Sequence, residues 1–256
     1  MTLLSHYIKR FLKLRRHMKT FRNEYKHFYG KLDKKRGFVC SEATLSPRLY
    51  DATAETVFDR DYLYHAAWAA RRISIINPPY HTDFSSNLYL SAILSAYVPT
   101  RFYDYRQPDL HLSGLVVDFA DLTSLSFDEE SLPSISCLSV IEHIGLGRYG
   151  DSLDPDGDLK AVEELKRVTA RGGSVLINVP LGKTPKIFFN AHRIYSKQQV
   201  MDMFRDFSLA DFMFIHRDIR YPACTADPSP DEMDELEGGR FGDGYYAAGC
   251  FHFIKK

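Results

Sequence analysis

Residues 158–180 read DLKAVEELKRVTARGGSVLINVP, and their reading decides the fold. Leu159, Val162, Leu165 and Val168 recur at three-residue spacing, which places them on one face of a helix. Gly172-Gly173 breaks that pattern, and Gly173–Val179 is a strongly apolar run ended by Pro180. A helix, a glycine turn and a strand with no polar face imply a sheet covered on both sides.

Working outward, the same alternation continues. Upstream, Tyr80–Phe84, Arg101–Tyr105, Leu115–Phe119 and Ile135–Val140 read as strands. Asp59–Ile76 and Leu88–Tyr97 read as helices, ended by Asn77-Pro78-Pro79 and by Pro99. Downstream, Ser196 caps a helix over Lys197–Phe204, and Phe207–Ile215 and Tyr245–Ile254 read as two late strands. Strands alternating with helices predict an α/β fold, a Rossmann-like doubly wound sheet that is mostly parallel. Residues 217–243 are acidic and rich in Pro and Gly, which predicts a mobile loop or lid.

The chain has 256 residues, 45% hydrophobic and 26% charged, ordinary for a globular protein with a sizeable core. No stretch approaches the ~20 apolar residues of a membrane span. Lys9, Arg10 and Lys13 interrupt any signal-peptide core, so a cytoplasmic location is expected, with association to a membrane as an option. Cys40, Cys137, Cys224 and Cys250 form no CxxC pair, which fits a reducing compartment and predicts no zinc site. Cys137 and Cys250 lie in apolar runs and read as core residues.

The formal net charge is zero but unevenly spread. Residues 1–36 hold 12 Lys/Arg against Glu24 and Asp33, leaving an equal acidic excess on the remainder. Leu4, Tyr7, Phe11, Leu14, Met18, Phe21, Tyr25 and Phe28 alternate at spacings of three and four, one stripe of a helix that Gly30 can stop. The expected organisation is a basic amphipathic helix over 1–30, a linker over 31–58 and a folded domain over 59–256. Three readings of the stripe stay open. It packs on this protein's own domain or on a second copy, it lies in an anionic membrane surface, or it binds nucleic acid, the weakest of the three. The oligomeric state is not legible.

In a doubly wound sheet, ligands bind beyond the carboxyl ends of the strands. After the first strand comes Asp83-Phe84-Ser85-Ser86-Asn87, leading into a helix whose N-terminus can face a carboxylate or phosphate. Asp104 ends the second strand, about 20 residues on, where a carboxylate can hold both hydroxyls of a ribose. Asp118 and Asp121 follow the third strand. Glu142 and His143 follow the fourth, with Gly145, Gly147, Arg148, Tyr149, Gly150 and Asp151 after them. The run Asp154-Pro155-Asp156-Gly157-Asp158 hints at a calcium loop, but Pro155 inside it favours a turn and helix cap, so no metal is expected.

The order HTDFSSNLY (81–89), FYDYR (102–106), ADLTSLSF (120–127), SVIEHIGLGRYGD (139–151) and ELKRVTARGGSVLINVP (164–180) resembles the class I S-adenosylmethionine-dependent methyltransferases. The resemblance covers about residues 80–256. More narrowly, FDRDYLYHAAWAARR, LDPDGDLKAVEELKRV, FFNAHRIYS and AAGCFHF resemble a methyltransferase-like bacterial family known as a domain of unknown function, placed near polysaccharide biosynthesis. The resemblance implies a late antiparallel strand and S-adenosylmethionine as cofactor. It implies cofactor binding by Asp83 (amino group), Ser85, Ser86, Asn87, Asp104 (ribose) and Asp121 (adenine). Glu142 and His143 would be catalytic, aligning the acceptor and taking its proton. Arg148, Tyr149, His192 and Arg193 would recognise a small-molecule or glycan acceptor. The first loop departs from the superfamily, whose glycines are replaced here by Ser85, Ser86 and Asn87, small turn-tolerant residues of which Asn can adopt left-handed geometry. A non-catalytic methyltransferase-like scaffold in a membrane-proximal glycan-assembly complex is the alternative. A nucleotide-sugar enzyme is weaker, because no GxGxxG appears.

Overall fold

The structure, a computed structural model, describes residues 3–216, 223–225 and 247–256. The chain divides into two units, Met1–Val57 and Phe58–Lys256.

In the first unit, α1 (Leu3–Lys31) runs 29 residues. No proline interrupts it, and its first glycine is Gly30. Two short 3-10 turns follow, Lys34–Arg36 and Glu42–Thr44. Tyr50 returns to the helix: its ring lies 5.3 Å from that of His17 and 5.9 Å from Lys13 Nζ. Met18, Phe21 and Tyr25 are half-buried, whereas Tyr7, Ile8, Phe11 and Leu12 are exposed.

The second unit begins with α2 (Arg60–Ile76), capped where Asp59 Oδ1 accepts the Tyr62 N–H at 3.0 Å. Then come β1 (His81–Phe84), α3 (Leu88–Leu94), β2 (Thr100–Asp104), β3 (Leu115–Phe119) and β4 (Leu132–Leu138). They are followed by α4 (Gly157–Val168), β5 (Thr169–Leu181), β6 (Lys186–Phe188), β7 (His192–Ile194) and α5 (Lys197–Met203). The described chain closes with β8 (Phe207–His216), β9 (Ala223–Thr225) and β10 (Ala247–Lys255).

Eight strands form one sheet in the order β3-β2-β1-β4-β5-β10-β8-β9, with β6 and β7 as a separate hairpin. β1 to β5 pair in parallel. β10 inserts antiparallel between β5 and β8, the late antiparallel strand of the methyltransferase architecture. The strand order reverses at β1, and this topological switch opens a crevice at the carboxyl ends of β1 and β4.

Both faces of the sheet are covered, as the apolar Val175–Val179 run requires. Val175, Ile177 and Val179 pack with Ile135, Cys137, Phe204 and Phe251 on one face. Leu176 points the other way, into Trp68, Ile73, Leu94 and Cys250. α2 is held on that second face by Trp68 Nε1, which donates to Asp211 Oδ2 at 2.8 Å.

The boundaries differ from the sequence reading at three places. α3 ends at Leu94 rather than Tyr97, because residues 95–98 wind into turns bonded to Ile93 and Leu94 before Pro99. β4 and β5 both start earlier than their apolar centres indicate. The β6–β7 hairpin is an addition: Asn190, at φ +61°, supplies its turn. The lid expected over 217–243 lies outside the described residues except for β9, as does Tyr245.

Candidate functional site

A cleft of about 220 Å³ opens at the carboxyl ends of β1 to β4. Its walls include Ser85 after β1, Asp104 to Arg106 at the end of β2, and Ala120 to Thr123 after β3. Ser139, Val140 and His143 to Gly145 come from the segment after β4, and Tyr62 comes from the first turn of α2. Tyr149 and Asp151 complete the rim.

The first loop achieves its turn without glycine. Ser85 sits at φ +56°, the left-handed region, whereas Asn87 stays extended at φ −63° and caps α3 by accepting the Tyr89 N–H. The left-handed residue of the turn is therefore Ser85, not the Asn that tolerates that geometry. At the neighbouring strand tip, Ser139 takes φ +57°. Two non-glycine residues in this region, side by side at the switch point, mark backbone strain stored where a ligand would sit. Ser139 Oγ donates to Asn178 Oδ1 at 2.7 Å, and Ser85 Oγ to Tyr103 O at 3.3 Å, so both hydroxyls anchor the tips.

Asp83, read as a cofactor contact, is fully buried and does not line the cleft. Its Oδ1 accepts the Ser86 N–H at 2.9 Å, and its Oδ2 accepts Ser136 Oγ–H at 2.6 Å. Ser136 in turn lies 2.9 Å from His81 Nε2, and His81 Nδ1 lies 2.8 Å from Ser134 Oγ. This chain fastens β1 to β4 beneath the loop. Burial raises the Asp83 carboxyl to about 6 and lowers the His81 imidazole to about 3. Ser86 is also buried, its Oγ accepting the Leu138 N–H. Of the first loop, Ser85 alone among the residues read as cofactor-binding reaches the cleft.

Asp104 and Asp121 do line it. Each carboxylate shapes its own turn: Asp104 Oδ1 accepts the Arg106 N–H at 2.7 Å, and Asp121 Oδ1 accepts both N–H and O–H of Thr123. The second oxygen of each accepts no hydrogen bond among the described residues, the pattern of a strand-tip acid available to a diol or an amine.

On the other wall, Ile141–His143 forms a 3-10 turn that the sequence reading missed. Asp151 organises the glycine-rich loop after it, accepting the N–H groups of Gly145, Gly147 and Tyr149. His143 Nδ1 lies 2.6 Å from Ala191 O, so it carries the proton and leaves Nε2 as the lone-pair nitrogen. Glu142 Oε1 lies 3.7 Å from that nitrogen. Glu142 is buried, does not line the cleft, and its Oε2 has no hydrogen-bond partner among the described residues. Burial raises the Glu142 carboxyl to about 8 and, with Arg148 and His192 nearby, lowers His143 to about 4. At neutral pH the pair is a carboxylic acid beside a neutral imidazole, not the imidazole of ordinary pKa that the sequence suggests.

The four residues read as acceptor-binding divide. Tyr149 lines the cleft, its ring 4.4 Å from the Arg106 guanidinium, 5.1 Å from that of Arg148 and edge-on to His143 at 5.6 Å. Arg148 donates to Ala191 O at 3.1 Å from the exposed side, the same carbonyl that accepts His143 Nδ1–H. His192 stands 6.4 Å from His143, ring to ring, outside the lining. Arg193 is buried: it donates to Ile144 O and Pro155 O and pairs with Asp158 Oδ1 at 3.4 Å, and Asp158 also accepts the Tyr195 O–H. Its guanidinium is engaged in holding the loop. Tyr62, within FDRDYLYHAAWAARR, and Arg106, the end of FYDYR, line the cleft without a role read for them in the sequence; the fold brings α2 and the β2 tip there. Among the described residues, no group of three His, Cys, Asp or Glu could hold a metal ion.

The architecture and the crevice at its switch point are those of the S-adenosylmethionine-dependent methyltransferase fold. The YcgJ protein of Bacillus subtilis superposes with a TM-score of 0.52 at 14% identity, covering 76% of this chain and 99% of that one. A protein of Galdieria sulphuraria described as a sarcosine dimethylglycine methyltransferase gives 0.51 at 12% identity, covering 76% and 86%. Residues 106–218, less than half of the chain, match the family described as Caenorhabditis protein of unknown function, DUF268. No curated protein matches the chain.

Proposed function

We propose that this chain is an S-adenosylmethionine-dependent methyltransferase acting on a small or glycan-linked acceptor. The observation that carries the reading is the cleft itself: it lies at the switch point, with Asp104 on the β2 tip beside Ser85 on the β1 tip. The residues present fit the cofactor. Asp104 would hold a ribose diol, the backbone of Ser85 would border the amino-acid part, and Asp121 would face the adenine amine. Asp83, Ser86 and Asn87 would act from beneath, by setting the loop. The cofactor supplies an electrophilic methyl group on a sulfonium when bound. Tyr149 and Arg148 would position the acceptor, with His192 and Arg193 supporting that wall. His143 Nε2 is the lone pair placed to receive the acceptor's proton, with the Glu142 carboxyl 3.7 Å from that nitrogen as its catalytic partner.

Calorimetry with S-adenosylmethionine and S-adenosylhomocysteine tests this. Micromolar binding that Asp104→Ala weakens at least tenfold supports it; no heat at millimolar ligand rejects it.

The second reading is a methyltransferase-like scaffold of a membrane-proximal glycan-assembly complex. Two observations favour it: a first loop without glycine, and an α1 whose first turns expose Tyr7, Phe11 and Leu12 among Lys9, Arg10 and Lys13. Such a face suits an anionic lipid surface. No helix among the described residues is long and apolar enough to cross a membrane. Flotation with anionic and neutral liposomes separates the cases. Recovery with anionic lipid that is lost without residues 1–30 supports surface binding; equal recovery on both lipids, or no effect of truncation, rejects it.

A further inference from the structure

Tyr62 stands outside the five segments that carry the superfamily resemblance, in the FDRDYLYHAAWAARR stretch of the narrower one, and it lines the cleft. Its place is fixed by a rigid element. Asp59 caps the first turn of α2 through the Tyr62 N–H, and α2 buries His65, Trp68, Ala69 and Ile73 against the sheet. Trp68 ties the helix to Asp211. The phenol is thus carried on packed structure rather than on a loop, as a precise recognition group requires.

Its surroundings are aromatic and polar together. Glu142 and Tyr149 lie close enough to push the Tyr62 phenol pKa up, after burial, the largest cause. Tyr149 is held by Arg106 and Arg148 and meets the His143 ring edge-on. Tyr62, His143 and Tyr149 therefore bring three rings to this part of the cleft. Two hydrogen-bonding atoms there make no hydrogen bond among the described residues: the Tyr62 hydroxyl, and His143 Nε2, whose neighbour Glu142 Oε1 lies 3.7 Å away. Rings that stack, with a donor and an acceptor left over, match a flat or chair-shaped ring that bears a hydroxyl. Asp104 and Asp121, on the β2 and β3 tips, supply carboxylates instead.

We propose that Tyr62, with His143 and Tyr149, forms the acceptor subsite, and that the subsite takes a hydroxyl-bearing ring. This rests on the methyl-transfer reading for its purpose, not for its binding. A phenol and a sugar pyranose share the chemistry, so both serve as probes.

Saturation-transfer NMR with phenol and with methyl α-D-glucopyranoside tests it, on wild-type protein, Tyr62→Phe and Tyr62→Ala, each checked for an unchanged circular dichroism spectrum. At least one probe binds the wild type. Tyr62→Phe weakens it about three- to tenfold and Tyr62→Ala more than tenfold, while S-adenosylmethionine affinity stays within twofold by calorimetry. Preference for phenol assigns an aromatic acceptor, and preference for the glucoside a glycan. Equal probe binding in wild type and Tyr62→Ala overturns the proposal, as does no binding of either ring or a Tyr62→Phe variant that loses S-adenosylmethionine instead. Ring binding by a wild type that ignores S-adenosylmethionine upholds the subsite and rejects methyl transfer.

Discussion

The two walls of the cleft are built on different principles. On the β1–β3 side, the two candidate acids are strand-tip residues whose side chains also close their own turns: Asp104 on Arg106, Asp121 on Thr123. On the β4 side, a long loop closed by its own Asp151, which gathers three amides, is also held by a distant buried partner, Arg193, which joins Ile144, Pro155 and Asp158. Local closure makes the first wall independent of the rest of the fold. The second wall is correct only when the hairpin β6–β7, α4 and the loop are all in place. Substitutions in the first should change ligand affinity with little loss of stability, and substitutions in the second should do the reverse.

The largest loss of stability is expected at Gly145. Its φ is +80°, and a Cβ would collide with the backbone oxygen of Asp154. Gly145→Ala should cost about 3 kcal/mol or more of stability, read from urea unfolding, because neither the torsion nor the backbone contact can relax cheaply. A loss under about 1 kcal/mol would show the β4-side loop to be soft, and the contrast between the walls would fail.

Arg193→Ala should cost about 3 kcal/mol by the same assay, because Asp158 and two backbone carbonyls lose a buried partner. If Arg193 contacts the acceptor instead, stability will hold and only ligand binding will change.

Glu142→Gln sharpens the comparison through pH. The carboxyl ionises near 4.5 when exposed and near 8 in the fold. Because its folded pKa is raised, the associated stability is complete below pH 4.5 and is lost as pH climbs toward 8. The neutral amide escapes that loss. The variant should therefore match the wild type near pH 4.5 and exceed it by about 5 kcal/mol at pH 9, in thermal melts across pH. A gap that is constant with pH would contradict a buried, protonated Glu142. In a methyl-transfer assay on a hydroxyl acceptor, the wild-type rate should rise through pH 8 as the pair loses its proton, with no inflection near 6.5.

The smallest effect belongs to the first wall. Ser85→Gly removes the cost of a left-handed serine but adds chain freedom to the unfolded state. Stability should shift by less than about 1 kcal/mol, and affinity for S-adenosylhomocysteine should hold or improve. A loss beyond tenfold would mean that the serine hydroxyl itself, and not the turn, is what the ligand needs.

The walls also differ in how much of them the sequence discloses. Strand tips are legible because a tip acid follows directly from the strand that precedes it: FYDYR locates Asp104 and ADLTSLSF locates Asp121. The helix, glycine turn and strand at 158–180 disclose the covered sheet for the same local reason. What escaped reading depends on contacts distant in sequence. Tyr62 looks like one more position of a helical stripe until α2 packs across the switch point. Arg193 and Asp158 are 35 residues apart and become partners only when β7 meets α4. Asp83 looks like a ligand contact in linear order, but its position on β1 turns it inward to Ser136. Burial, which moved Glu142 and His143 away from ordinary acid and base behaviour, has no signature in a two-residue motif.

A crystal structure of the full chain with S-adenosylhomocysteine decides whether the cleft holds the cofactor. The adenosyl group is expected between the β1 and β2 tips, with both ribose hydroxyls on the Asp104 carboxylate and the sulfur facing His143 and Tyr149. A ligand bound elsewhere, or a cleft left empty with Asp104 still engaged only with Arg106 at saturating ligand, would contradict it.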